Sequence, residues 1–351
     1  MAGQEGVAAS PTPPPSPNFD PAERERQLRA ESAAWDTSAP QPAREGDIPM
    51  IDVSAVLAGN DVAARESAAD QLRTASEQVG FFQLTGHGIT DDELAAILEQ
   101  TRRFHALPAE SKLRILMDRP GASLGGIGYL PVGARKLPSR AKGNLNEAFL
   151  IKSDREIGFD DNDWIDEDEL PGFRTAVETY ARRVEALARS LLPIYATALD
   201  LPPDFFAPAF LDPFWRLRMT HYPPVDRTVD DDEYGISPHV DTTFLTLLLQ
   251  DGPGLRIFSH RRDAWIEAPV VEGAFVVNTG ELLRQWSNDR FLSTRHFAHN
   301  STPNSRYSVP FFFNATADYP MACLPSCHGP GNPPRYPTIS YLQSQAAAQG
   351  E

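Results

Sequence analysis

The sequence predicts a mainly β protein with surrounding helices, and three observations carry that prediction. From about residue 214 onward, short β-like runs recur between Gly, Pro, Asn and Asp, the texture of an antiparallel sandwich or barrel. Before residue 200, apolar residues recur at three- and four-residue steps instead, the stripe of helices laid against a core. Finally, 41% of the 351 residues are hydrophobic, enough for a globular chain to bury a core.

The elements follow in chain order. Residues 1–46, rich in Pro, Ala, Ser and charge, read as a flexible leader. Order begins at "DIPMIDVSAVLAG", where Ile48, Met50, Ile51 and Val53 predict a short strand. "ARESAADQLRTASEQVG" is patterned as a helix, with Gly80 as its stop. "FFQLTGHGI" reads as a strand and turn, with His87 a turn or core histidine. "TDDELAAILEQTRRFHAL" reads as a helix with Thr90 at its cap and Glu93 in capping-box position. The glycines and prolines of residues 119–152 exclude a long helix there and leave one strand, "NEAFLI". In this stretch Tyr129 and Phe149 are candidates either to line a cavity or to pack on the core, and "RKLPSRAKG" reads as a solvated loop rather than a lid. "DDNDWIDEDEL" is read as a second solvated loop. A long helix is expected over 172–200, its buried stripe marked by Val177, Tyr180, Val184, Leu187, Leu191 and Tyr195.

The β-like runs are then "FWRLRMTHYPP", "HVDTTFLTLLLQD", "GLRIFS", "AWIEAPV", "AFVVNTGELL", "TRHFAHN" and "RYSVPFFFNA". Trp286, Phe312 and Phe313 are assigned to the core. Residues 47–345 are expected to form one domain, helix-rich over 47–200 and β over 214–318, with a tail at 346–351.

A net charge of −16 argues against a nucleic-acid partner, whose phosphates favour basic surfaces. No apolar run approaches a membrane span. The N-terminus lacks the apolar centre of a secretory signal, so the expected location is the cytoplasm. Cys323 and Cys327, in "CLPSCHG" beside His328, read as ordinary thiols rather than a metal or redox pair, because further ligands at suitable spacing are missing. His105, His221 and His260 carry no signal. The oligomeric state leaves no trace either.

The chemistry is expected around "GISPHVDTTFLTLLLQDGPG", residues 235–254. His239 and Asp241 stand two positions apart in a strand-like run and so face the same way. An imidazole and a carboxylate buried together are costly unless something uses them. Two histidines and one carboxylate on one face of an octahedron suit non-haem Fe(II) and leave three positions open. The third ligand is open at this stage between His296 and His299. Beyond them, Arg306 and Ser308 also share a strand face. A guanidinium grips a carboxylate with two hydrogen bonds, and a hydroxyl adds a third. Aimed into the same cavity as the metal, the pair would hold the far end of a dicarboxylate.

These residues match a family. "HVD" at 239–241, a histidine about 55 positions later, and "RYS" at 306–308 resemble the Fe(II)- and 2-oxoglutarate-dependent oxygenases, most closely the isopenicillin-N-synthase-like branch. The resemblance extends through "GFFQLTGHGI", "GYLPVG", "NEAF", "HYPP", "LLLQDGPGLRI", "VVNTGELLRQWSN" and "RYSVPFFF", and covers roughly residues 47–345. It implies a distorted jelly-roll (double-stranded β-helix) core. It implies His239, Asp241 and His296 as the iron ligands, against His299, because the family's RxS lies about ten residues past its distal histidine. Arg306 and Ser308 are implied to bind the C5 carboxylate of 2-oxoglutarate, with Tyr222 assisting. Two positions depart from the family pattern: Thr220 stands where asparagine is frequent, and Phe297 where arginine is.

The implied reaction uses Fe(II), 2-oxoglutarate and O2. It oxidises a C–H bond of a small organic substrate by hydroxylation, desaturation or oxidative cyclisation, releasing succinate and CO2. Two rivals make different predictions: an oxidase of the same branch that uses no 2-oxoglutarate, and a catalytically silent metal or metabolite sensor. Succinate formation separates the first, and oxygen consumption the second.

Overall fold

A computed structural model describes residues 40–59, 61–117, 126–134, 142–153, 162–225, 233–299 and 303–349. Nearly all of the expected leader, most of "RKLPSRAKG" and the end of the tail lie outside them. The strands are β1 (Gln41–Pro42), β2 (Met50–Asp52), β3 (Phe81–Thr85), β4 (Gly128–Leu130), β5 (Glu147–Lys152), β6 (Trp215–Tyr222) and β7 (Ile236–His239). They continue as β8 (Leu245–Gln250), β9 (Leu255–Ser259), β10 (Ala264–Glu267), β11 (Phe275–Thr279), β12 (His296–Ala298) and β13 (Arg306–Phe313). The helices are α1 (Ser54–Leu57), α2 (Val62–Gln78), α3 (Asp91–His105), α4 (Ala109–Leu113), α5 (Phe173–Ala198), α6 (Glu281–Trp286) and α7 (Tyr341–Gln349).

The strands form two sheets, β2–β3–β11–β8–β13–β6–β5–β4 and β1–β10–β9–β12–β7. Pairing is antiparallel except for β1–β10 and β2–β3, so the expected all-antiparallel core gains two parallel edges from the N-terminal segment. The interleaved strand order places residues distant in sequence side by side, as a jelly roll does. The expected fold class is the one found.

Alternation along each strand decides what each face of the larger sheet meets. Leu217, Met219, Leu245, Leu247, Val309, Phe311 and Phe313 join one apolar cluster with Leu72, Val184 and Leu191 of α2 and α5. Burying a side chain of that size contributes about 1.5–3 kcal/mol, so this helix-covered face anchors the sheet. Their alternates Thr246, Leu248, Ser308, Pro310 and Phe312 line a cavity that faces the smaller sheet. Phe312 is therefore a cavity residue and not, as expected, core. Phe313 and Trp286 are core.

The capping box of α3 is present: Glu93 N donates to Thr90 Oγ1 at 3.2 Å, and Thr90 N to Glu93 Oε2 at 2.8 Å. Gly80 ends α2 with φ of 77°, where a Cβ would lie 2.9 Å from the Leu292 carbonyl oxygen. Tyr129 and Phe149 pack with Phe104 in the core, which settles their two readings in favour of packing. "AFVVNTGELL" is not one β run, since the strand stops at Thr279 and α6 starts at Glu281. The turn is imposed by contact: Glu281 N donates to Asp241 O at 2.7 Å, and a Cβ on Gly280 would collide with Thr243 O.

Candidate metal and cosubstrate site

His239 is the last residue of β7 and His296 the first of β12, and the two are cross-strand partners. Asp241 lies beyond the end of β7, in the turn toward β8. The expected shared strand face for His239 and Asp241 is thus corrected: the strand has ended, and the turn brings the carboxylate back under the histidine pair. His239 Nε2 lies 3.5 Å and His296 Nε2 3.7 Å from Asp241 Oδ1, and the imidazole centroids are 4.3 Å apart.

The hydrogen bonds behind these groups decide what they present. His239 Nδ1 is 2.8 Å from Ser237 O, and His296 Nδ1 is 3.1 Å from Thr294 O. A carbonyl only accepts, so each Nδ1 carries the proton and each Nε2 turns a lone pair inward. Asp241 Oδ2 accepts from Thr246 Oγ1 at 2.7 Å and Asn278 Nδ2 at 2.9 Å, which leaves Oδ1 for the histidines. Three lone pairs therefore converge on one point with no proton between them, a donor set that a cation would fit. Adjacent ligands around an ion with bonds of ~2.1 Å stand roughly 3 Å apart, so a small contraction closes the site.

Burial, reinforced by the neighbouring His239, pulls His296 down to about 4 and keeps it neutral. Burial alone would raise the Asp241 carboxyl, but His296, His239 and Asn278 outweigh it and hold it well below the usual carboxylate range. His299 is elsewhere, half-buried near Arg256 and Glu267.

Arg306 and Ser308 share the cavity face of β13, and Arg306 is the register partner of Tyr222 on β6. The guanidinium stacks on the Tyr222 ring at 4.6 Å. Its Nε donates to Gly252 O at 3.1 Å and its Nη2 to Gln250 Oε1 at 2.8 Å. Gly254, with φ of 125°, permits this approach, since a Cβ there would lie 2.5 Å from His299 O and 3.4 Å from Arg306 Cδ. Arg306 Nη1, Gln250 Nε2 and Thr220 Oγ1 are buried with no hydrogen-bond partner. Gln250, Ser308 and Thr220 form one cross-strand row, so the unsatisfied donors are neighbours. Buried unpaired donors of this kind are costly and match the oxygens of a carboxylate. Thr220, which replaces the family's asparagine, still offers a hydroxyl there. Phe297, which replaces its arginine, is buried against Trp265 and Tyr234.

Sequence reasoning missed Thr246, Asn278 and Gln250. The period-two alternation of β8 and β11 could have pointed to them, as polar residues on otherwise apolar strands. It also passed over His105, Glu147 and His221, a second trio whose ligand-type atoms lie within 4.8 Å of one another. There Lys112 Nζ sits 2.9 Å from Glu147 Oε2, so the positive charge is already supplied by a side chain. Cys323 and Cys327 are free thiols and join no such group among the described residues. Burial pushes Cys323 up to about 11. His87 is a buried turn residue with Nε2 2.8 Å from Gly273 O.

Residues 48–168 match the family model "non-haem dioxygenase in morphine synthesis N-terminal", and residues 214–315 match "2OG-Fe(II) oxygenase superfamily". The chain is 34% identical over 309 residues to the 2-oxoglutarate-Fe(II) type oxidoreductase hxnY of Emericella nidulans, covering 83% of this chain and 86% of that protein. It is 32% identical over 296 residues to a 2-oxoglutarate-dependent dioxygenase of Didymella fabae, covering 79% and 88%. Among solved structures, a full-length Neurospora crassa protein in complex with alpha-KG and thymine superposes with a TM-score of 0.78 at 25% identity, over 88% of this chain and 99% of that one. The chain belongs to the 2-oxoglutarate–Fe(II) oxygenase superfamily. It is a non-haem dioxygenase that uses Fe(II), 2-oxoglutarate and O2. No helix among the described residues is long and apolar enough to cross a membrane.

Proposed function

We propose that His239, Asp241 and His296 hold the Fe(II), and that Arg306, Ser308 and Tyr222 hold the C5 carboxylate of 2-oxoglutarate, in a cytoplasmic enzyme that oxidises a C–H bond of a small organic molecule. The observation that carries the reading is the convergence of two Nε2 lone pairs and Asp241 Oδ1 at one end of a cavity whose other end holds the unsatisfied Nη1 of Arg306. Residues 47–345 act as the one oxygenase domain in this reading. The net charge of −16 speaks for a small molecule over nucleic acid as substrate.

When bound, Fe(II) and 2-oxoglutarate supply the oxidising power from O2, and the cosubstrate leaves as succinate and CO2. The protein does the rest. Thr246 and Asn278 fix the Asp241 carboxylate, the Ser237 and Thr294 carbonyls fix the imidazole tautomers, and Arg306 sets the far end of the cosubstrate. Phe81, Leu248, Pro310 and Phe312 wall the cavity with apolar surface, which excludes water from the reacting groups.

The test is succinate release from 2-oxoglutarate under air, with and without candidate substrates. Succinate that rises with a substrate is expected. Substrate oxidation without succinate would favour an oxidase, and no oxygen consumption across a broad metabolite panel would favour a sensor. A second expectation concerns support of the metal: Thr246→Val removes one of two donors to Asp241 Oδ2 and should weaken Fe(II) binding roughly tenfold, measured by anaerobic titration.

A further inference from the structure

Behind the cosubstrate wall, on the opposite face of the larger sheet, lies a buried polar network. Glu147 of β5 is the register partner of His221 on β6, and His221 is the partner of Tyr307 on β13. Each of the last two directly adjoins a cavity residue, Tyr222 and Arg306. Glu147 Oε1 accepts from His221 Nδ1 at 2.8 Å, and Oε2 accepts from Lys112 Nζ at 2.9 Å and Tyr129 OH at 2.6 Å. The second nitrogen of His221 meets Ser305 Oγ at 2.9 Å, and its ring stacks on Tyr307 with centroids 4.8 Å apart and planes inclined by 13°. Arg102 covers the other side, with its guanidinium 5.4 Å from the Tyr307 ring and a bond of 2.9 Å to Asp251 Oδ2, while Tyr307 N donates to Asp251 Oδ1. His105 completes the set, with Nε2 3.0 Å from Met219 O and Nδ1 3.5 Å from Glu147 Oε1.

We propose that Glu147 is a positioning residue for 2-oxoglutarate, acting through His221 to hold the strand pair that presents Tyr222 and Arg306. This inference rests on the assignment of Arg306 and Tyr222 to the cosubstrate. A single imidazole ties β5 to the start of β13, spanning from the Glu147 carboxylate to Ser305 and Tyr307. Because successive side chains alternate faces, any slip that releases His221 and Tyr307 on the outer face also moves Tyr222 and Arg306 on the inner one. The Arg306–Tyr222 stack is the point of delivery. Lys112 and the Tyr129 hydroxyl keep the carboxylate in place. Burial alone would raise Glu147, but His105 and His221 outweigh it and keep it ionised far below the usual range. Burial with Glu147 beside it pushes the Tyr129 phenol up, so it stays a donor.

The test compares His221→Phe, which keeps the ring on Tyr307 and loses both hydrogen bonds, with Glu147→Gln, which keeps the shape and loses the charge. Affinity for 2-oxoglutarate is read by calorimetry on the Mn(II)-loaded protein without O2, beside KM and kcat of the Fe(II) enzyme. Both variants should bind 2-oxoglutarate roughly tenfold more weakly, with KM for the cosubstrate rising in step and kcat at saturation within about twofold. His221→Gln, which restores a partner for Glu147, should recover part of the loss. Arg306→Met separates the two assignments. If it leaves 2-oxoglutarate affinity unchanged, the cosubstrate assignment itself fails. If it abolishes binding while His221→Phe binds like wild type, the positioning role fails and the network is structural only. Should Glu147→Gln not fold, His221→Phe decides alone. A second bound metal per chain that disappears in His221→Phe would also overturn the proposal.

Discussion

Asp241→Ala is expected to lose Fe(II) binding and turnover together, with Fe(II) affinity down by more than ~100-fold, beyond what loss of a supporting partner alone causes. The substitution removes the only anionic donor among the three converging groups and leaves two neutral imidazoles. Thr246 and Asn278 are left without their acceptor, so the remaining side chains are also less well placed. Thermal unfolding gives an independent readout. A ligand at about 100 times its Kd stabilises the native state by ~2.7 kcal/mol, so wild type should melt higher with Fe(II) under nitrogen. The variant should show no such shift. Equal metal-induced shifts in the two proteins would show that the ion binds elsewhere.

Arg306→Met should separate metal from cosubstrate. Fe(II) binding is expected to stay near wild type, because Arg306 bonds to Gly252 and Gln250 and stacks on Tyr222, away from the proposed ligands His239, Asp241 and His296. The 2-oxoglutarate affinity should fall sharply. Leaving one partner of a buried, hydrogen-bonded charge pair unmatched costs about 2–5 kcal/mol, or roughly 30- to 5,000-fold in KM for 2-oxoglutarate. Arg306→Lys should recover only part of this, since an ammonium keeps the charge but not the two-pronged fork. Steady-state kinetics with varied 2-oxoglutarate checks both. An unchanged KM in Arg306→Met would remove the cosubstrate role from this residue.

The parts of this molecule that were legible in its sequence are those set by local periodicity. The stripe of α5 and the alternation in "RYSVPFFF" each encode a face, the Thr90–Glu93 capping box encodes a helix start, and each is found in place. Arg306 and Ser308 were readable for the same reason. Phe312 faces the cavity by the same alternation that puts Arg306 there, but the apolar run "VPFFF" by composition reads as core throughout. Helix α6 was hidden because it has only six residues and starts from a close packing contact of Gly280 that no propensity records. Asp241 converged with His239 for a reason other than the expected one, a turn after the strand rather than a shared face. The choice between His296 and His299 could not be made from the residues alone, since it depends on which of them pairs with His239 across β12 and β7. The Glu147 network was invisible because His105, Glu147 and His221 come from a helix end and two strands with no recurring spacing. Only the sheet register brings them together.

In the proposed site three side chains hold one ferrous ion from one side and leave the other side to 2-oxoglutarate and O2. Anomalous diffraction at the iron edge, from crystals grown under nitrogen with Fe(II) and 2-oxoglutarate, tests it most directly. The expected result is one iron peak about 2.1 Å from His239 Nε2, His296 Nε2 and Asp241 Oδ1, with Asp241 Oδ2 still held by Thr246 and Asn278. An iron peak at the His105–Glu147–His221 trio or near Cys323 and Cys327, with none at His239, would contradict it.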